Sequence, residues 1–184
     1  MEKTRISVYI AASLDGYIAR EDGALDWLPQ GDGKEDYGYG EFMSSIDALV
    51  MGRKTFETVL SFGEWPYPDI RVFVLSGTLR KSDVPDAVAE KIEILNGTPP
   101  EIVAELAKRG VQRAYLDGGA TIQGFLRFGL IDDMTLTRVP VLLGRGIPLF
   151  GSLEKDISLR HVNTRAFPDG LVQSVYENKK DAAS

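Results

Sequence analysis

Two short stretches carry residues whose types and spacing can do chemistry. In the first, Asp47-Ala48-Leu49-Val50-Met51 runs into Gly52-Arg53-Lys54-Thr55. The apolar run suits a short buried strand, Gly52 breaks it, and Thr55 suits the cap of a helix through Phe56, Val59 and Leu60. The first amides of a helix lack intrahelical acceptors and the helix dipole is positive there, so such a turn can hold a phosphate, with Arg53 and Lys54 supplying charge. An ordinary strand-to-helix turn with solvated cations fits the same residues. In the second stretch, Arg113-Ala114-Tyr115-Leu116 leads into Asp117-Gly118-Gly119-Ala120-Thr121, followed by apolar residues at helical spacing from Ile122 to Leu130. Paired glycines let the backbone approach a ligand that a β-carbon would hold away, and amides near Ala120 and Thr121 would face it. They can equally serve only close helix-to-strand packing. The three spaced glycines of the standard dinucleotide turn are absent.

Other chemistries are excluded by composition. There is no cysteine, hence no disulfide, thiolate nucleophile or cysteine-held metal, and the lone histidine, His161, cannot build a histidine cluster. No metal is expected. A net charge of -6 argues against nucleic acid as partner, so any anion must be drawn by a local cluster. No apolar run approaches the roughly 20 residues that span a bilayer, and the N-terminus lacks a signal-peptide pattern. The expectation is a cytoplasmic protein that meets a small molecule and no membrane. Hydrophobic content of 43% over 184 residues suits one domain with a proper core, set at 1–178, with 179–184 as a frayed tail.

The elements that must position these turns follow from periodicity. Arg5 to Ser13 reads as a strand buried on both faces, ending in Ser13-Leu14-Asp15-Gly16, where Asp15 is either a turn former or a functional carboxylate. Ile18 to Gly40 reads as a long glycine-rich loop that Trp27 could seal as a lid. A short helix fits Asp36 to Ser45. Ile70 to Leu75 and Lys91 to Leu95 suit strands, with Arg80 and Lys81 as surface charges if judged alone. Pro100 at a first turn, Ile102, Val103, Leu106 and Ala107 at helical spacing and Gly110 after the last turn make the most regular helix pattern. Asp133 to Leu143 suits a strand that Pro140 bends or confines to an edge, Gly144 to Phe150 a glycine-rich loop, and Leu159 to Phe167 with Leu171 to Tyr176 an antiparallel hairpin around Pro168-Asp169-Gly170.

In this order the marks resemble the dihydrofolate reductase fold, in the branch similar to the reductase domain of bacterial riboflavin biosynthesis (the RibD C-terminal domain). They are Ser13-Leu14-Asp15-Gly16, Met51-Gly52-Arg53-Lys54-Thr55, Leu75-Ser76 before a basic pair, Asp117-Gly118-Gly119-Ala120, and Pro140 with Leu143-Gly144-Arg145-Gly146 and Leu149-Phe150. The resemblance implies a three-layer α/β architecture: a mixed, mostly parallel central sheet flanked by helices, closed by a C-terminal antiparallel hairpin. It implies NADPH across the carboxyl ends of the strands and a homodimer. Gly52, Arg53, Lys54 and Thr55 match the turn that holds the adenosine side and diphosphate. Ser76, with Arg80, matches the neighbourhood of the adenosine 2′-phosphate, and Gly118, Gly119, Ala120 and Thr121 the second diphosphate turn. Ala12 sits where the first strand passes the nicotinamide.

Asp36 falls at the position of the acid that protonates a pterin, with Asp15 as second candidate. Trp27, Tyr37 and Tyr39 suit either the walls of a planar substrate or plain packing, and Asp117 either contacts substrate or ends its strand. The arginine that grips a folate tail is replaced by Ile70, which points away from folate, and without cysteine there is no zinc deaminase partner domain in this chain. The implied activity is hydride transfer from NADPH to a C=N or C=O carbon of a heterocyclic or ribosylaminopyrimidine-like substrate. A module that binds NADPH or a phosphorylated metabolite without turnover is the alternative.

Overall fold

Runs rich in β-branched and apolar residues become one eight-stranded sheet in a computed structural model, which describes residues 3–29 and 35–179. In chain order the elements are β1 (Arg5–Ser13), β2 (Tyr17–Ala19), α1 (Tyr39–Ser44), β3 (Ala48–Gly52), α2 (Arg53–Leu60), β4 (Arg71–Leu75), a 3-10 turn (Lys81–Asp83), β5 (Ile92–Leu95), α3 (Pro99–Lys108), β6 (Arg113–Asp117), α4 (Gly119–Arg127), β7 (Asp133–Val139), β8 (Ile147–Pro148), β9 (Leu159–Ala166) and β10 (Val172–Asn178). The strand order is β5-β4-β3-β6-β1-β7-β10-β9. Every pairing from β5 through β7 is parallel, and β10 and β9 join antiparallel. The architecture is therefore the mixed, mostly parallel α/β sheet that the resemblance implies, closed by the C-terminal hairpin that the residue pattern suggests.

Alternation along the strands sends successive side chains to opposite faces. Ala48 and Val50 join Ile6, Val8 and Leu116 under α3 and α4, through Ile102, Leu106, Ile122 and Phe125. Leu49 and Met51 join Val72, Val74 and Tyr115 under Phe42 of α1 and Phe56 of α2. A smaller cluster lies beyond, where Val139, Phe167 and Leu171 meet Ala11, Trp27, Leu28, Tyr37 and Val141. Both helix-covered faces thus converge on the carboxyl ends of β3 and β6.

Several expectations need correction. Helix α2 begins at Arg53 with Gly52 as its N-cap, so Thr55 lies inside the first turn and does not cap it. Gly52 is extended (φ -77°, ψ 164°), and the chain needs no further residue to turn into the helix. Strand β7 ends at Val139 and is internal to the sheet, so Pro140 neither bends it nor marks an edge. The loops flanking Gly16 and Gly146 contain a two-stranded ribbon, β2 with β8, too short to show as periodicity. Asn178 belongs to β10 and the Lys179 amide donates to the Ser158 carbonyl (3.0 Å), so order continues to the last described residue. The rest of the expected tail, 180–184, lies outside the described residues.

Candidate active site

The two glycine turns lie side by side. Strands β3 and β6 are neighbours whose last pair is Met51 with Asp117, so α2 and α4 start next to each other at one edge of the sheet. The turns interlock. A β-carbon on Gly52 would stand 2.7 Å from the Thr121 hydroxyl, and one on Gly118 would stand 2.3 Å from the Thr55 hydroxyl. Each glycine makes room for the threonine of the opposite helix, and Gly118 also holds a left-handed φ of 95° that disfavours any other residue. Neither helix start has a side-chain cap. Both sets of leading amides therefore keep the unmet donor capacity that suits an anion, with two half-buried threonine hydroxyls between them that have no hydrogen-bond partner among the described residues. This donor set fits a dinucleotide diphosphate. Gly119 differs from the expectation that it opens on a ligand: the space above it is taken by Ile18 of β2, 2.7 Å from where its β-carbon would stand.

The next strand extends the cradle. Arg53 donates to Glu57 (2.6 Å) and reaches across to the Thr78 hydroxyl (3.0 Å) in the loop after β4. The Ser76 hydroxyl shapes that loop by accepting from the amides of Thr78 (3.2 Å) and Leu79 (2.9 Å). Glu57 holds the Arg53 guanidinium above its usual range, so it is permanently charged. Lys54 and Arg80 are exposed nearby, and the Arg80 amide caps against Asp83 (2.9 Å). Arg53, Ser76 and Thr78 are brought together; Arg80 is linked to them only through the chain.

Beside these turns the sheet splits. Strand β1 pairs with β6 only as far as Ser7 with Tyr115, yet stays paired with β7 to Ser13 with Val139. The Tyr115 phenol bridges the opening by donating to the Tyr9 carbonyl (2.9 Å). Ala12 lies on the far strand of the split with its methyl in the core, so only its backbone borders the opening, while Ala11 faces the aromatic side. Asp117 ends the near strand. Burial pushes its carboxyl up, and the Gly118 amide (2.8 Å) only partly offsets this. Around it stand Tyr39 of α1, Tyr115, and Tyr67, whose phenol is hydrogen-bonded with Tyr39 and pushed up by burial and by its neighbours. Tyr67 escaped the sequence reading; its one signal is the aromatic run Trp65-Pro66-Tyr67-Pro68 ahead of β4.

Asp36 and Asp15 have the opposite environment. Asp36 accepts from the amides of Gly38 (2.9 Å) and Gly40 (3.1 Å), which hold its carboxyl below the usual range and set up the start of α1. Asp15 accepts from the Ser13 hydroxyl (2.6 Å) and from the amides of Leu143 (3.1 Å) and Gly144 (2.7 Å), which likewise lower it. It fastens the end of β1 to the loop after β7. Trp27 and Tyr37 share the small apolar cluster with Ala11, and the Tyr37 carbonyl accepts from the Tyr9 phenol (2.8 Å). Among the described residues, no group of three or more His, Cys, Asp or Glu is placed to hold a metal ion.

Comparison with known proteins gives the family and the fold. A family model described as the RibD C-terminal domain matches residues 4–173. The uncharacterized protein YwjB of Bacillus subtilis (strain 168) is 35% identical over 170 residues, 91% of this chain and 94% of that protein. A crystal structure from Shewanella sp. PV-4, attributed by its name alone to riboflavin biosynthesis, superposes with a TM-score of 0.89 at 43% identity, over 96% of this chain and 100% of that one. More distantly, the diaminohydroxyphosphoribosylaminopyrimidine deaminase/5-amino-6-(5-phosphoribosylamino)uracil reductase of Thermotoga maritima gives 0.72 at 18% identity, over 96% of this chain and 57% of that one. Dihydrofolate reductase from Enterococcus faecalis, complexed with NADP(H), gives 0.65 at 20% identity, over 96% and 97%. The fold is dihydrofolate reductase-like, and family and neighbours together support a reductase of the riboflavin-pathway type.

Proposed function

The chain belongs to the RibD C-terminal domain family, and from that premise we propose that it is an NADPH-dependent reductase of a small heterocyclic, ribosylaminopyrimidine-like substrate. The observation that carries this reading is the pair of uncapped helix starts meeting at Gly52 and Gly118 beside a split in the sheet. NADPH, when bound, supplies a hydride. The chain's own residues do the rest. The amides of Arg53, Lys54, Ala120 and Thr121, with the Thr55 and Thr121 hydroxyls, hold the diphosphate. Arg53, Ser76 and Thr78, with Lys54 and Arg80 alongside, meet the adenosine phosphate, so NADPH is preferred to NADH.

The proton is assigned to Asp117 in preference to Asp36 or Asp15. Reduction of C=N or C=O takes one hydride on carbon and one proton on nitrogen or oxygen, so the donor must be a neutral carboxyl that ends as carboxylate. Burial favours the neutral form at Asp117, whereas backbone amides favour the ionised form at the other two. Tyr39, Tyr67 and Trp27 wall the substrate. Folate fits poorly, since Ile70 offers no charge and the neighbouring Arg71 is committed to Glu93 (3.1 Å). A homodimer built on the open edge strand β9, all of whose residues are exposed, and work in the cytoplasm complete the reading.

Titrating the protein with NADPH and NADH by fluorescence, then following NADPH oxidation over ribosylaminopyrimidines, pterins and quinoid compounds, tests it. Preferential NADPH binding with oxidation by an aminopyrimidine is expected. Tight binding with no oxidation of NADPH across the panel would leave a sensor in place of an enzyme.

A further inference from the structure

Resting on that reading of the cleft, we propose that Gln173 is a specificity residue, whose side-chain carbonyl accepts a hydrogen bond from an N–H group on the edge of the bound heterocycle. Gln173 lies on β10 opposite Thr137 of β7, which lies opposite Ala11 of β1. These three register partners share one face of the sheet, the face on which Asp117 lies two residues beyond Tyr115. Neighbouring strands are about 4.8 Å apart, so Gln173 stands about 10 Å from Ala11, within reach of a planar ring lying on that small methyl.

The hydrogen bonds settle which way the amide faces. The single proton of the Tyr9 phenol goes to the Tyr37 carbonyl (2.8 Å), so toward Gln173 the phenol can only accept. The group facing it is therefore the amide nitrogen, at 3.1 Å, and the same nitrogen donates to the Thr137 hydroxyl at 3.0 Å. Both amide hydrogens are spent. The oxygen Oε1 has no partner among the described residues and is not shut off from solvent. A carbonyl oxygen can only accept, so the complementary ligand edge must donate, and the donor assigned to it is an exocyclic amino group, which projects beyond the ring. With Asp117 at one side of Ala11 and Gln173 at the other, the site offers a proton at one edge of the ring and reads an amine at the other.

The test needs no cofactor. Calorimetric titration of the intact chain with 5,6-diaminouracil and with uracil should show tighter binding of the diamine. Gln173→Leu should weaken the diamine about tenfold and leave uracil within about twofold. Gln173→Glu, which keeps an accepting oxygen, should retain the preference. Equal loss of both pyrimidines, no loss of either, or no binding of either by the unaltered chain would overturn the assignment. NADPH titration of each variant separates the two claims: a chain that prefers the diamine but ignores NADPH fails as a reductase and keeps Gln173 as the reader of the amine.

Discussion

Replacing Gly52 with alanine tests the interlock of the two turns, because its cost should come from one contact alone. Gly52 has an ordinary φ of -77°, so alanine brings no backbone strain there. Its methyl would stand 2.7 Å from the Thr121 hydroxyl, well inside normal contact, and forcing a methyl into a filled space costs about 1–3 kcal/mol. Thr121→Ala removes the obstructing atom, so the double variant should regain that loss, with a coupling energy of about 1–3 kcal/mol in a double-mutant cycle. Gly118 supplies the contrast. Its φ of 95° costs any other residue about 1–3 kcal/mol besides the clash with Thr55, so Thr55→Ala should rescue Gly118→Ala only in part. Urea unfolding of the six variants measures both cycles. The rescued Gly52→Ala/Thr121→Ala protein should fold normally yet bind NADPH more weakly, having lost one hydroxyl at the cradle. Additive losses in the Gly52 cycle would refute the interlock, since they would mean that the two turns do not touch.

The remaining expectations concern charge. Arg53→Ala should weaken NADPH by about 1–3 kcal/mol, or roughly 5- to 150-fold in Kd, and leave NADH nearly unchanged by the same titration. The raised Asp117 carboxyl makes the folded state bind more protons than the unfolded one above the ordinary value of 3.8, so stability falls as pH rises through the raised value. Asp117→Asn should remove that fall: in thermal melts the variant gains on the parent from about pH 4 upward, while losing turnover. For Asp15, lowered in the folded state, the sign reverses. Its stabilising effect is present above the ordinary carboxylate range and lost as pH drops through the depressed value, so Asp15→Ala should melt lower at pH 7 and match the parent in acid.

Much of this was legible in the residues, and the exceptions have physical causes. Strand β1 has the bounds its apolar run suggests, and the two strand-glycine-helix turns form because each is a local pattern of strand, breaker and helix former. Their adjacency is another matter: it rests on β6 inserting between β3 and β1, a long-range pairing that no local spacing reveals. Thr55 reads as a cap because threonine commonly is one, but its hydroxyl is claimed by the space beside Gly118. Helix α3 starts at Pro99, one residue earlier than Pro100 suggests, because Thr98 and Glu101 form a capping box there. Choosing among Asp15, Asp36 and Asp117 required knowing which carboxyl meets amides and which is buried. That is set by tertiary packing, as is the amide of Gln173.

One pyridine nucleotide should touch both turns at once. Amide nitrogen-proton NMR spectra of the labelled chain, recorded as NADPH is added, can show this. The backbone signals of Lys54 and Ala120 should move together, with one common affinity, while a distant amide such as Leu106 stays in place. Movement at only one of the two turns, or at neither while NADPH binds elsewhere, would contradict it.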